Sequence, residues 1–144
     1  MEKPIKRKVI IEKSLEVPAI SKEEFEKFLE SIGGLVYGHR TDSPPIISAG
    51  FFSVGEGWFG ILKKLIEESI KSGWNKEVTQ SKEKFGMLHF YVTTAPTPVF
   101  EIISKYEKLS GETCEYCGNR GKQRSGGWIQ TLCNDCYEQT NKKN

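Results

Sequence analysis

Histidine, long apolar runs and net charge are all scarce in this 144-residue chain: it has two histidines, no stretch of about 18 apolar residues, and a formal charge of +2. The missing apolar run removes a membrane-spanning helix from consideration. The near balance of 21 Lys plus Arg against 19 Asp plus Glu does not predict a duplex-DNA binder, so an anionic partner has to be met by a local patch. With His39 and His89 as the available imidazoles, and with no GxSxG and no Walker loop, the chain offers neither a nucleophile with its base nor a phosphate-cradling loop. The expectation is a protein that is not an enzyme. The opening "MEKPIKRKVIIEKSLEVP" carries early Lys and Arg but no run of signal-peptide length, which gives the further expectation of a cytoplasmic protein with no membrane partner.

Cysteine is concentrated instead of scarce. All four lie in "CEYCGNRGKQRSGGWIQTLCNDC", as Cys114-x-x-Cys117 and Cys133-x-x-Cys136 with fifteen residues between the pairs. In a reducing compartment this spacing is that of a four-thiolate zinc site, because each two-residue gap lets a tight knuckle aim two sulfurs at one tetrahedral ion. Gly118 follows the second sulfur and supplies the positive φ that closes such a knuckle. A thioredoxin-like dithiol needs one such pair at a strand-to-helix junction and has no use for the second. Four thiolates complete the tetrahedron, so one structural Zn2+ per chain is expected. Between the knuckles, "GNRGKQRSGGWIQTL" reads as a glycine-turned hairpin with residues 128 to 132 as its second arm. The module is therefore a zinc ribbon or treble-clef-like unit of residues 111 to 144, ending in a short polar tail, "YEQTNKKN". A unit this small draws its folding energy from the metal.

Residues 1 to 110 read as a mixed α/β body, which makes the chain α+β, with a small sheet and about three helices before the zinc module. "SKEEFEKFLESIGG" starts with Ser21 and Glu24 in capping-box register and lines up Phe25, Phe28, Leu29 and Ile32. "LVYGHR" is a short strand candidate, followed by the proline-rich loop "TDSPPIISAG". "GWFGILKKLIEESIKSG" has the broad apolar face of a central helix. The alternation in "MLHFYV" puts Leu88, Phe90 and Val92 on one face and Met87, His89 and Tyr91 on the other, with a turn expected around Lys82 to Gly86. "TPVFEIISKYEKLSG" reads as a last helix with Thr97 as N-cap, Pro98 at its first position and Gly111 as its stop. The glycines of "GEGWFG" read as a turn before the core helix. A phosphate cradle is disfavoured there because Glu56 would repel an anion.

The ordered set "GWFGILKKLIEE", "KEKFGMLHFYV" and the four-cysteine ribbon resembles a group of small bacteriophage and prophage proteins with a GWF-type helix, a KEKFG-type strand and a C-terminal metal ribbon. The resemblance spans about residues 55 to 137. It implies a phage-derived accessory protein working in the host cytoplasm and brings no catalytic residues with it.

Two stretches remain as ligand-binding candidates. Lys82, Lys84, His89 and Tyr91 place two cations beside an imidazole and a phenol. Arg120, Lys122, Arg124 and Trp128 place cations beside an indole, a set able to meet phosphate and base. Solvated lysines and a tryptophan packed on the last helix explain the same residues equally well. Three functions follow. Ranked first is a homo-oligomer that holds a small anionic nucleotide in a pocket between subunits and so sequesters a host immune signalling nucleotide, since near-neutral charge suits a small anion. The second is a zinc-ribbon DNA- or RNA-binding or transcription-associated protein. The third is an inhibitor that covers a host enzyme with the strand at 84 to 92.

Overall fold

The computed structural model of the protein describes residues 17 to 142 other than 39 and 41. The first sixteen residues of the body and His39 thus lie outside the described residues. Among the described residues the fold is α+β, with four helices and two small sheets.

Helix α1, Lys22–Ser31, starts where the capping box predicts: Ser21 Oγ accepts from the Glu24 amide while Glu24 reaches back to the Ser21 amide. A second acid completes the cap, because Glu56 Oε2 accepts from the Lys22 amide at 2.8 Å. The helix stops at Gly33 and Gly34, both at positive φ, and Lys76 Nζ donates to the Ile32 carbonyl beyond its last turn. Strand β1, Val36–Tyr37, follows, and then a loop with single 3-10 turns at Ala49–Phe51 and Glu56–Trp58. Helix α2, Phe59–Lys71, buries Phe59, Ile61, Leu62, Leu65 and Ile66 and is the centre of the body, as its apolar face predicts.

Strands β2, Glu77–Lys84, and β3, Met87–Val92, form an antiparallel hairpin, with β1 parallel to β2 on the other edge. The turn is narrower than the sequence implied. It consists of Phe85 and Gly86 alone, both at positive φ, so Lys82 and Lys84 are strand residues. A bulge between Val78 and Gln80 resets the alternation. Leu88 and Phe90 then face the core, and Lys82, Lys84, His89 and Tyr91 share the opposite face. Helix α3, Thr97–Ser110, packs on α2 and β3. Its N-cap is Pro96, one residue before the expected Thr97, because the extended backbone of Pro96 already turns the chain in and Thr97 has helical geometry.

The body core is continuous from Phe25, stacked on Phe59 at 4.9 Å between centroids, through Trp58 and Leu65 to Leu88 and Val99. The C-terminal part holds strands β4, Lys122–Arg124, and β5, Gln130–Leu132, paired antiparallel, and helix α4, Asn134–Lys142. The segment read as a polar tail is therefore mostly helix. It carries no apolar stripe to announce it, and it is started by Cys133, whose Sγ accepts from the Cys136 amide at the first turn.

Candidate metal centre and the face beside it

The four sulfurs converge as the spacing requires. Cys114, Cys117, Cys133 and Cys136 present Sγ atoms that all lie within 4.8 Å of one another, and those of Cys117 and Cys133 are 3.6 Å apart. A tetrahedral ion with arms of about 2.3 Å needs sulfurs about 3.8 Å apart, so this donor set fits one metal ion. All four thiols are free. Each is placed by local structure. The Gly118 amide donates to the Cys114 carbonyl to close the first knuckle, Cys133 follows β5, and Cys136 lies in the first turn of α4.

Electrostatics favours a cation here. Burial pushes the Cys114 thiol up, but amide donors from Cys133, Cys117 and Tyr116 outweigh it and bring the group down to about 7. Burial and then the neighbouring sulfurs push Cys136 up, and burial also raises Cys117. One thiolate forms readily while further ionisation is opposed, a conflict that a divalent cation resolves by supplying the missing positive charge. Four sulfur donors leave such an ion without an open coordination position, so the arrangement supports structure instead of substrate activation.

The module is seated on the body along two polar seams. In the first, the Gly57 amide donates to the Glu115 carbonyl, the Gly55 amide to Glu115 Oε2, and Trp58 Nε1 to the Thr113 carbonyl, at 2.8, 3.0 and 2.8 Å. A Cβ on Gly57 would stand 2.3 Å from the Cys114 carbonyl oxygen, so glycine is required where the knuckle meets the body. The "GEGW" glycines thus form the seat of the knuckle as well as a turn before α2. The sequence hid this because the partner, Glu115, is far away along the chain. In the second seam Thr131 Oγ1 donates to the Gly86 carbonyl and Gln123 Nε2 to the Phe85 carbonyl.

The eight candidate ligand residues divide. Lys82 and His89 are cross-strand partners, and His89 stacks on Tyr91 at 6.3 Å between centroids. Arg120 lies 3.7 Å from Glu112. Arg124 works inside the module: its guanidinium donates to the Leu132 carbonyl and Asn134 Oδ1 and lies 4.4 Å from the centre of the Tyr137 ring. Trp128 is 72% exposed, so it is not packed on a helix. Sequence reasoning missed Phe85, which is 65% exposed at the hairpin tip. Its signal was a Phe-Gly turn where Asn-Gly is the usual choice. Two clefts among the described residues, of about 750 and 450 Å3, are lined by none of the eight. Among the described residues no helix is long and apolar enough to cross a membrane. Comparison with protein-family models, curated proteins and solved structures returned no match.

Proposed function

We propose that this is a zinc-stapled, non-enzymatic binding protein that takes nucleotide-bearing ligands on the open face formed by its ribbon and the β2–β3 turn. The observation that carries this reading is Trp128. Leaving a large apolar side chain in water forgoes on the order of 2 kcal/mol, and the ribbon holds this one 72% exposed. An exposed indole is a group that stacks on a base, and the exposed Lys122 of the same ribbon is a charge that phosphate can meet. Zinc is the metal favoured by four thiolates in a tetrahedron. The resemblance to phage accessory proteins would place it in a host cytoplasm, beside host signalling nucleotides and nucleic acid. A small signalling nucleotide enclosed between subunits is the alternative ligand of the same chemistry.

The test uses the protein's own fluorescence. Of its three tryptophans, Trp58 and Trp74 are buried and only Trp128 is exposed, so a ligand stacked there changes the solvent-exposed part of the emission. Titration with mononucleotides, cyclic dinucleotides and short oligonucleotides is expected to quench that part for at least one class, and Trp128→Phe removes the response. No quenching and no calorimetric heat with any of these ligands overturns the proposal.

A further inference from the structure

We infer that the ligand on this face is an unpaired nucleic-acid strand, with Phe85 and Trp128 each stacking a base and Lys84 and Lys82 following the phosphates. The inference rests on the function proposed above and names its ligand class.

The first observation is the backbone of Phe85. At φ 56° it occupies the left-handed region, which costs a residue with a Cβ roughly 1–2 kcal/mol and which a glycine or asparagine in this two-residue turn would adopt more easily. A large ring at such a position is ordinarily explained by burial, yet this one is 65% exposed. Its recorded ring contact is with the adjacent cation, Lys84 Nζ at 5.7 Å from the centroid. Strain combined with exposure points to a partner outside the chain.

The second observation is how the tip is held. The Phe85 and Gly86 carbonyls accept from Gln123 and Thr131 of the ribbon, and a Cβ on Gly86 would stand 3.3 Å from Ile129 Cγ2. Phe85 and Trp128 therefore each sit one residue before a partner in the Gly86–Ile129 approach, Phe85 on the body hairpin and Trp128 on the ribbon hairpin. Pairing then extends the face along the body hairpin. Lys84 and Lys82 lie on the same side as His89 and Tyr91, whereas Glu83 falls on the other side opposite Leu88. Cations and rings thus run in one direction from the tip, with the acid turned away.

This chemistry selects a single strand. Duplex bases are already stacked on one another and offer no face to a ring, and a duplex surface needs more cations than two strand lysines. A lone mononucleotide uses one ring and leaves the other exposed. An unpaired strand presents successive base faces and a phosphate for each, which suits two rings at the tip with lysines behind them along the strand.

The test uses the full, metal-loaded chain and fluorescence anisotropy with a labelled 12-mer of thymidylate, the matching duplex, and thymidine monophosphate as competitor. Phe85→Gly is the decisive variant, because glycine relieves the backbone and the folded protein is retained or gains stability. The single strand is expected to bind in preference to the duplex, and Phe85→Gly to weaken it by about tenfold or more, as loss of one stacking partner does. Neutralising two phosphates gives a shallow salt slope of about −1.4 in log K against log salt, at roughly 0.7 per phosphate on a single strand. Duplex preference, or a strand affinity unchanged by Phe85→Gly at unchanged melting temperature, overturns the inference. If the monophosphate matches the 12-mer, this inference falls and the proposed function stands. If neither binds, this inference falls, and the proposed function is then decided by the cyclic-dinucleotide arm of the fluorescence titration.

Discussion

The body and the ribbon are folded by different means. In the body a continuous apolar core runs from Phe25 to Val99 and, among the described residues, includes eleven side chains with almost no exposure, among them Trp58, Leu62, Leu65 and Leu88. In the ribbon the buried cluster is Cys114, Leu132 and Cys133, with Cys136 and Tyr137 partly buried against it. That is too little apolar surface to order about 30 residues, and sulfur ligation has to supply what packing does not. The two seams between them are built from hydrogen bonds that each use a backbone amide or carbonyl, with Trp58 serving both sides: its ring fills the body core while its Nε1–H holds the Thr113 carbonyl. The difference teaches that dependence runs mainly one way. The body has a core of its own, whereas the ribbon has a four-sulfur site that could hold a metal ion and the surface it sits on.

Removing the metal is the strongest way to break that comparison. Chelation, or Cys117→Ser, withdraws on the order of 10 kcal/mol of ligation free energy from the ribbon. Hydrogen exchange read residue by residue is expected to show protection lost over residues 111 to 140 and retained in α2. Simultaneous loss in both regions would mean that the polar seam couples them into one cooperative unit.

How much of this was legible in the sequence follows from how local each interaction is. The cysteine knuckles, the capping box at Ser21 and the alternating faces of β3 are decided within a few residues, and all were readable. The seat of the knuckle was not, because Gly57 meets Cys114 and Glu115 only in three dimensions. Helix α4 was read as a tail because its start is set by a cysteine cap and its residues carry no apolar period. Arg124 looked available for phosphate because a sequence does not show that the Leu132 and Asn134 oxygens lie within its reach. Phe85 escaped notice because its oddity is a φ angle, visible only once the turn is known to hold two residues.

The seam itself is sharpened by Gly57→Ala. The added carbon would lie 2.3 Å from the Cys114 carbonyl oxygen and 2.6 Å from the Gly118 amide nitrogen, both backbone atoms that move only if the knuckle shifts. A cost of about 1–3 kcal/mol is expected, as for other overpacked sites, together with faster metal release. Gly50→Ala is the matched control. Its Cβ would meet only Ser48 Oγ at 3.4 Å, and its effect is expected within about 0.5 kcal/mol. Denaturation midpoints and the rate of metal transfer to a chromophoric chelator measure both. Equal behaviour of the two variants would show that the ribbon tolerates a looser seat.

The smallest expected effect separates the two regions by pH. In the body, Tyr106 Oη donates to Glu68, and Lys105 Nζ lies 3.1 Å from the same carboxylate. Burial works against the Glu68 charge, but the Tyr106 and Lys105 hydrogen bonds outweigh it and hold the group below its ordinary 4.5. Its contribution is therefore full above pH 4.5 and is lost as pH falls through the lower folded value. Burial and then the Glu68 bond raise Tyr106 above its ordinary 10.0, so the same pair is stabilising below that pH and loses its contribution as pH rises beyond it. Tyr106→Phe is expected to cost about 1 kcal/mol at neutral pH and to flatten both limbs of the body's stability profile. The ribbon follows another rule. Protons compete with the metal for four thiolates, so acidification releases the ion and the ribbon opens before the body does. Monitoring metal release and body unfolding in one acid titration tests this, with Tyr106→Phe expected to alter the second and leave the first in place. A shift of metal release in that variant would show that α3, which carries Tyr106 and leads directly into the ribbon, transmits strain across the seam.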